Sequence, residues 1–515
     1  MTRMKLPRRL LLAAPALLTS MAGAARGAAD DGVLRVVAPW EFDSADPLDT
    51  GYILTRLGIG ETLVMVGFDG RLTGGLAESW SVDPDHLTWR FRIRDARFHD
   101  GTMVTAGIIA AGLQRVQAKA ETLSTIPFAA IEAVGARDLV LRTRTPFAPL
   151  PSFLVDYAGV ILAPSSFDGA GQVVRPVATG PYRVTAINGT KILQAEAFDG
   201  HWGIRPAIRR VHYTAAPQGD TRANLAEAGE ADLAYTLLPQ AAERIEAAGR
   251  ARILRSTIPR ARMLTMNLAL PAFADIRVRR ALSLAIDRDG IARGILRDPA
   301  SAATQLLPTV LAGWNDATLP ALARDVAQAR RLLAEAGWQP GADGVMVRQG
   351  QRLAFDMMVP SNRPELPVMG QAIQAELREI GVAVALRIGP GSAIPGAARN
   401  GTLQAALLSR TYVNVPDPIG TILPDFASDA TIWASPGYRS DEMRRLVADY
   451  IENFDEGDQA SLRRAMVGVL QRDLPVIPVS WSQHNAAVSM RIQPPSVGLD
   501  PFEMSYGLPG IRWAA

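Results

Sequence analysis

Residues able to do covalent chemistry are few in this chain, and their spacing does not assemble them. It has 515 residues, five histidines and no cysteine. Disulfides, thiolate metal sites, a cysteine nucleophile and a lipid-bearing N-terminal cysteine are therefore excluded. His86, His99, His201, His212 and His484 show no paired ligand spacing such as H-E-x-x-H. There is no G-x-S-x-G, no S-x-x-K, no Walker A loop and no G-x-G-x-x-G opening a helix. No catalytic residue, metal ligand or cofactor is assigned. One stretch does gather groups suited to recognition: "LLSRTYVNVPDPIGTILPDF", Leu407 to Phe426. A short apolar strand breaks there into a proline-rich loop carrying Arg410, Tyr412, Asn414 and Asp417. An aromatic face, a planar cation, an amide and a carboxylate on a loop are the ingredients of a site that binds a small polar molecule. A second set lies at the end of the first strand, where Trp40 and Glu41 leave "APWEFD", with Arg56 nearby.

Regular elements must hold these groups in place. "LRVVAPW" reads as a strand, and "LTWRFRIRDARFHDGTMVTA" as a strand, a polar turn and a helix start, with the helix over Ala106–Val116. His99 falls in that turn, where a structural role is expected. Val278, Ala281, Leu282, Ala285 and Ile286 recur at helical spacing behind Asp275, a helix N-cap. "RDVAQARRLLAEAGW" predicts a helix stopped by Gly337. Met369, Ile373, Leu377 and Ile380 mark a helix ending before Gly381, after which Val382, Val384, Leu386 and Ile388 alternate as a strand. Helices are expected around Met443–Ile451 and Leu462–Leu470, before the strand "LPVIPVSW". This is an α/β chain, too long for a single core.

The first residues behave differently. Arg3, Lys5, Arg8 and Arg9 precede an apolar run broken by Pro15, and small residues between Ala22 and Ala29 offer cleavage sites. Residues 1–29 therefore read as a cleaved secretory signal peptide, with Sec and twin-arginine export both open. Its five basic residues and absence of acids mean that cleavage takes the formal charge from +3 to −2. A nucleic-acid partner thereby loses its electrostatic support.

"GLAESWSVDPDHLTWRFRIRDARFHDGTMVTA" resembles the signature of family 5 solute-binding proteins, the peptide- and nickel-type receptors of ABC importers. Leu76–Trp80, Thr88–Arg94 and Phe98–Ala106 carry the likeness. "TGPYRV", "FDGHWG", "AEAGEADLAY", "MNLALPAFADIRVRRALSLAIDRDGI", "AQARRLLAEAGW" and "LPVIPVSW" follow in the family's order. The resemblance implies a two-lobed periplasmic binding protein-like fold of type II: lobe I over 30–258 with a subdomain inserted at approximately 70–180, lobe II over 259–482, and a return to lobe I over 483–515. The lobes would close on a solute, with crossovers near Pro259 and Trp481. It further implies a periplasmic monomer, without enzymatic activity, that delivers solute to an ABC permease of the inner membrane. A peptide receptor feeding chemotaxis, or from another class a secreted hydrolase, remains as an alternative.

In peptide-binding relatives an acid three residues before an acidic-Pro pair meets the peptide amine. Here Asp417–Pro418 is that pair and Asn414 stands in the acid's place. Nickel-chelate receptors carry "R-T-W" in the same loop, which Arg410–Thr411–Tyr412 matches. Their anion-binding arginine falls at Val160, and "LPDFASDA" lacks their histidine. By this resemblance Tyr412 would wall the solute, with Arg410 and Asn414 setting its polarity. A peptide-like and a metal-chelate-like solute both stay open.

Overall fold

The first strand enters the structure where the alternation of Leu34, Val36 and Ala38 begins to bury one face. The computed structural model describes residues 31–361, 363–429, 433–493 and 499–514; the expected signal peptide lies outside the described residues. The elements used below follow in chain order. Strand β1 (Val33–Ala38) leads to helix α1 (Pro47–Arg56). Next come β2 (Ala77–Val82), β3 (Thr88–Ile93), α2 (Ala106–Val116), β4 (Phe128–Ala133) and β5 (Asp138–Thr143). Strands β6 (Tyr182–Asn188), β7 (Ile192–Ala197), β8 (Arg210–Ala215) and β9 (Leu233–Ala234) lead to the long strand β10 (Ala251–Met266). The remainder is α3 (Ile276–Ala285), α4 (Val326–Glu335), β11 (Ala354–Pro360), α5 (Glu365–Glu379), β12 (Ala383–Gly389), β13 (Ala405–Thr411), α6 (Asp441–Glu452), α7 (Glu456–Asp473) and the long strand β14 (Val476–Ser489).

One sheet of ten strands runs in the order β12-β11-β13-β10-β14-β9-β1-β8-β7-β6. Its two halves connect through β10 and β14, which pair antiparallel from Ala251↔Ser489 to Thr265↔Val476. The register shifts between Ile258 and Ala261 and again between Arg262 and Met263. Pro259 explains the first shift, since a residue without an N–H cannot sit in a continuous ladder. A separate antiparallel sheet, β2-β3-β5-β4, forms the body of the segment between α1 and β6.

Of the helix caps, Asp275 is expected from the sequence, and the structure adds others. Thr105 Oγ1 accepts from Ile108 N at 3.3 Å and starts α2. Asp275, Asp325, Ser440 and Asp455 do the same for α3, α4, α6 and α7. Helices α4 and α5 stop before Gly337 and Gly381, both at positive φ (85° and 78°), a conformation that favours glycine.

Two cores result. One lies behind β1, β7 and β8, around Leu34, Tyr182, Tyr213 and Ala486. The other runs without a break from Phe91, Phe98 and Ile109 of the four-stranded segment to Met263, Leu407 and Ile477 in the far half. The two parts therefore touch. The His86 ring stacks on Phe454 at 4.2 Å, and Ala148 N donates to Ile451 O at 2.7 Å.

Replacing Thr105 by alanine removes the side-chain acceptor at the start of α2. We expect a loss of about 1 kcal/mol in urea unfolding; an unchanged midpoint would show that the cap contributes nothing.

Candidate functional site

The loop after β13 is not the open recognition surface its composition suggests. Along β13 the side chains alternate, so that Leu408, Arg410 and then Tyr412 enter the core of the far half. Tyr412 is fully buried, its hydroxyl against Met263 Sδ at 3.6 Å. Burial holds that hydroxyl well above its ordinary pKa. Arg410 is nine-tenths buried and grips Asp425 with two parallel bonds, Nε–Oδ2 at 2.8 Å and Nη2–Oδ1 at 2.9 Å. Burial alone would lower the Arg410 pKa, but the Asp425 carboxylate raises it. The expected roles are therefore corrected. Tyr412 shows no free face on which a solute could stack, and the Arg410 fork is already filled by a carboxylate of the same chain. Asp417 is likewise engaged: it accepts from Ile419 N at 3.0 Å and from Tyr450 Oη at 2.7 Å, and burial raises its pKa. Asn414 is half-buried in the loop between them.

At the other expected set, Trp40 and Arg56 come together and Glu41 does not. Arg56 ends α1, and its guanidinium carbon lies 4.0 Å from the centre of the Trp40 ring and 5.3 Å from that of Tyr52. Such cation–π contacts fix a guanidinium's orientation without filling its hydrogen bonds. Trp40 is set by its carbonyl, which accepts from Tyr213 Oη at 2.6 Å. Helix α1 is itself pressed against the 157–159 turn, because Gly51 allows close approach: a Cβ there would lie 2.4 Å from Tyr157 O. Tyr52 and Tyr157 then meet edge to face at 5.6 Å. Glu41 points away, half-exposed, 3.7 Å from Lys191 Nζ.

Residues not singled out from the sequence complete this region. The carboxylate of Glu503, buried and at φ +58°, takes Arg260 Nη2 on Oε2 at 2.8 Å. Its Oε1 lies 4.0 Å from both Arg56 Nη2 and His484 Nδ1, and its carbonyl accepts from Arg56 Nε at 2.7 Å. Burial would raise the Glu503 pKa, but Arg260, His484, Arg56 and Arg363 together depress it to about 2. Arg262 pairs with Glu365 at 3.3 Å and donates to Trp481 O at 3.0 Å. The strained Glu503 loop is shaped by Asp500, whose carboxylate accepts from Phe502 N, Met504 N and Ser505 N, each at 2.8 Å. Burial pushes the Asp500 carboxyl up to about 6.

Arg260 and Arg262 flank the register shifts of β10, while Arg363 and Glu365 sit at the start of α5. The cluster therefore lies where the two halves of the sheet meet. A cavity of about 220 Å³ opens between the inserted segment and the far half, lined among others by Asp69, Leu72, Trp314, Pro416, Asp417 and Phe502. Phe502, next to Glu503 in the chain, is its link to the charge cluster, whose arginines do not line it. A larger groove of about 380 Å³ lies on the outer face of the four-stranded sheet, where Arg90 and Arg92 are already paired to Asp83 and Asp138. Among the described residues no group of three His, Asp or Glu side chains could hold a metal ion, and no helix is long and apolar enough to cross a membrane.

This arrangement of two halves about paired crossing strands has known counterparts. The model of bacterial extracellular solute-binding proteins, family 5, middle region, matches residues 71–431, and the chain belongs to that family. It is 24% identical over 483 residues to the glutathione-binding protein GsiB of Shigella dysenteriae serotype 1, over 91% of this chain and 92% of that protein. NikA from Brucella suis in complex with Fe(III)-EDTA superposes with a TM-score of 0.80 at 22% identity, covering 93% of this chain and 100% of that one. The periplasmic binding protein DppA from Helicobacter pylori, in complex with the peptide STSA, does so with a TM-score of 0.78 at 19% identity, covering 93% and 98%. The fold is thus the two-lobed one of periplasmic binding proteins.

Two tests address the site's electrostatics. Asp425→Asn leaves Arg410 charged and buried without its partner and is expected to cost about 3–5 kcal/mol in chemical denaturation. A loss below about 1 kcal/mol would show that Arg410 has a second acceptor. His484 is the other. Burial lowers its pKa from 6.5 to about 4, against the attraction of Glu503. The unfolded state therefore takes up the proton first, and stability present above pH 6.5 is lost as the pH falls toward 4. His484→Gln is expected to lose less stability than the wild type across that window; parallel pH profiles would contradict this.

Proposed function

We propose that the chain captures a small anionic solute in the seam between its two lobes and delivers it to an ABC import permease. The observation that carries this reading is the excess of positive charge where the lobes meet. Arg56, Arg260 and Arg363 act on Glu503, with the Asp500 carboxylate behind the same turn, while Arg262 is matched by Glu365. One positive charge is left over, in a place largely screened from water. Arg56 Nη1 is moreover buried with no hydrogen-bond partner among the described residues. An unsatisfied buried N–H of a cation is costly, and a carboxylate of a bound solute would relieve it. Trp40, Tyr52 and Tyr157 would supply the aromatic wall first assigned to Tyr412, and the adjoining cavity would take the rest of the molecule.

The division at the crossing strands belongs to the same proposal. Residues 30–258 and 483–515 form lobe I, with the four-stranded segment near 70–180 inserted, and 259–482 form lobe II. The register shifts of β10 beside Pro259 support a hinge there, since a bulged pair can bend without breaking the rest of its ladder. Export to the periplasm on a cleaved leader and action as a monomer complete the proposal. GsiB is named for glutathione, NikA is seen with Fe(III)-EDTA and DppA with a peptide. All three solutes carry carboxylates, which fits an arginine-lined seam.

Thermal unfolding with reduced glutathione, short acidic peptides and carboxylate chelates tests the reading. A solute at 100 times its Kd should raise stability by about 2.7 kcal/mol and be recovered unchanged. Arg56→Ala should weaken its binding at least tenfold, and Tyr412→Ala should act on stability more than on affinity. Binding confined to uncharged solutes, or turnover of the solute, would overturn it.

A further inference from the structure

We propose, resting on the reading of the seam as an anion-binding cleft, that Glu503 is a specificity-determining residue: a carboxylate of the chain itself that occupies part of the arginine cluster and sets how much negative charge a solute must bring. Glu503 is placed as a bound carboxylate would be. It lies 2.8 Å from Arg260, within 4.0 Å of Arg56, and within reach of the Arg363 charge. These cations come from α1, from the bulged crossing strand and from the start of α5, so one side chain faces all the elements that meet at the hinge. The backbone is built to present it. Its φ of +58° is uncommon for a residue other than glycine, and the three N–H groups held by Asp500 maintain that turn. Tyr506 N donates to Arg56 O at 3.0 Å, and the Tyr506 ring stacks on Tyr235 at 3.9 Å, which pins the far end of the loop. Asp500 is thus a positioning residue for Glu503.

The consequence is a count of charge. Arg56, Arg260 and Arg363 against Glu503 and Asp500 leave one positive charge. A solute end bearing a single carboxylate neutralises it, whereas one bearing two leaves a desolvated anion without a partner. Neutralising Glu503 raises the excess by one, and neutralising Arg260 lowers it by one. The two substitutions must therefore shift selectivity in opposite directions. Loss of a merely structural ion pair would weaken binding in both variants alike.

Competitive native mass spectrometry and calorimetry decide the matter, with a pair matched in shape: succinate against succinamate. For the dicarboxylate of the pair we expect Glu503→Gln to bind about tenfold more tightly than the wild type, and Arg260→Gln about tenfold more weakly. The monocarboxylate should move less in each case. Should Glu503→Gln not fold, Arg260→Gln against the wild type carries the test, and equal losses for both members of the pair would refute the proposal. If acidic solutes bind equally to wild type and Glu503→Gln, this assignment falls while the anion-binding cleft stands. If no acidic probe binds any of the proteins, both fall.

Discussion

The antiparallel pairing of the two long strands, β10 and β14, is the constraint on which the rest of the molecule depends. From Ala251↔Ser489 to Thr265↔Val476 these strands lie side by side across the middle of the sheet, and the remaining strands attach to one flank or the other. A ladder of this length ties the lobes together through backbone hydrogen bonds that need no particular side chains. The interruption beside Pro259 localises whatever bending the pair allows. At that interruption Ala261 stays in the core of the far half, while Arg260 and Arg262 on either side of it carry the ion pairs of the seam, and Met263 and Leu264, just beyond it, are fully buried.

Charge at such a place carries a physical cost. Guanidinium groups withdrawn from water must find acceptors. The chain supplies carbonyls to some of them: Arg222 donates to Ala216 O, Tyr235 O and Thr236 O, and Arg279 to Phe273 O and Leu474 O. Those arginines are structural, fully matched on one side of a single lobe. The cluster beside Pro259 differs because Arg56 Nη1 has no acceptor among the described residues and its members come from different elements. That difference, and not the abundance of arginine, is what supports the proposed site.

The inserted four-stranded segment gives the seam its second wall. Its helix α2 is tied back to the start of α1 by Arg115, which grips Asp46 at 2.8 and 3.0 Å. Its lower edge is held by Glu61, which accepts from His201 at 3.1 Å and from Trp202 at 3.1 Å, while Arg94 lies 3.6 Å over the Trp202 ring. The segment is thus tied to the start of the chain by these pairs, while its apolar face packs against the far half through Phe454. In the proposed closure such a contact is gained by burying apolar surface and lost by exposing it.

Much of this architecture was legible in the sequence. The alternation in "LTWRFRI", the cap at Asp275, and the stops at Gly337 and Gly381 are local signals, because side-chain period and backbone chirality act within a few residues. The ordered motifs of the family extended that reading to the whole fold. The site was less legible. Trp40 and Arg56, expected together, do meet in a cation–π contact. Tyr412 and Arg410 were expected on an open loop, but a strand that seems to end before its loop keeps alternating, and this sends both side chains into the core where Asp425, later in the same stretch, fills the arginine's fork. Glu503 left no trace in composition or period. Its role arises from bringing residues 56, 260, 363 and 503 to one point, and no local propensity encodes a meeting of segments so far apart. The sequence by itself determined the elements, their caps and the family. Which charges meet, and which of them remain without a partner, was decided only by the tertiary structure, since electrostatic pairing depends on distance in space and on exclusion of water.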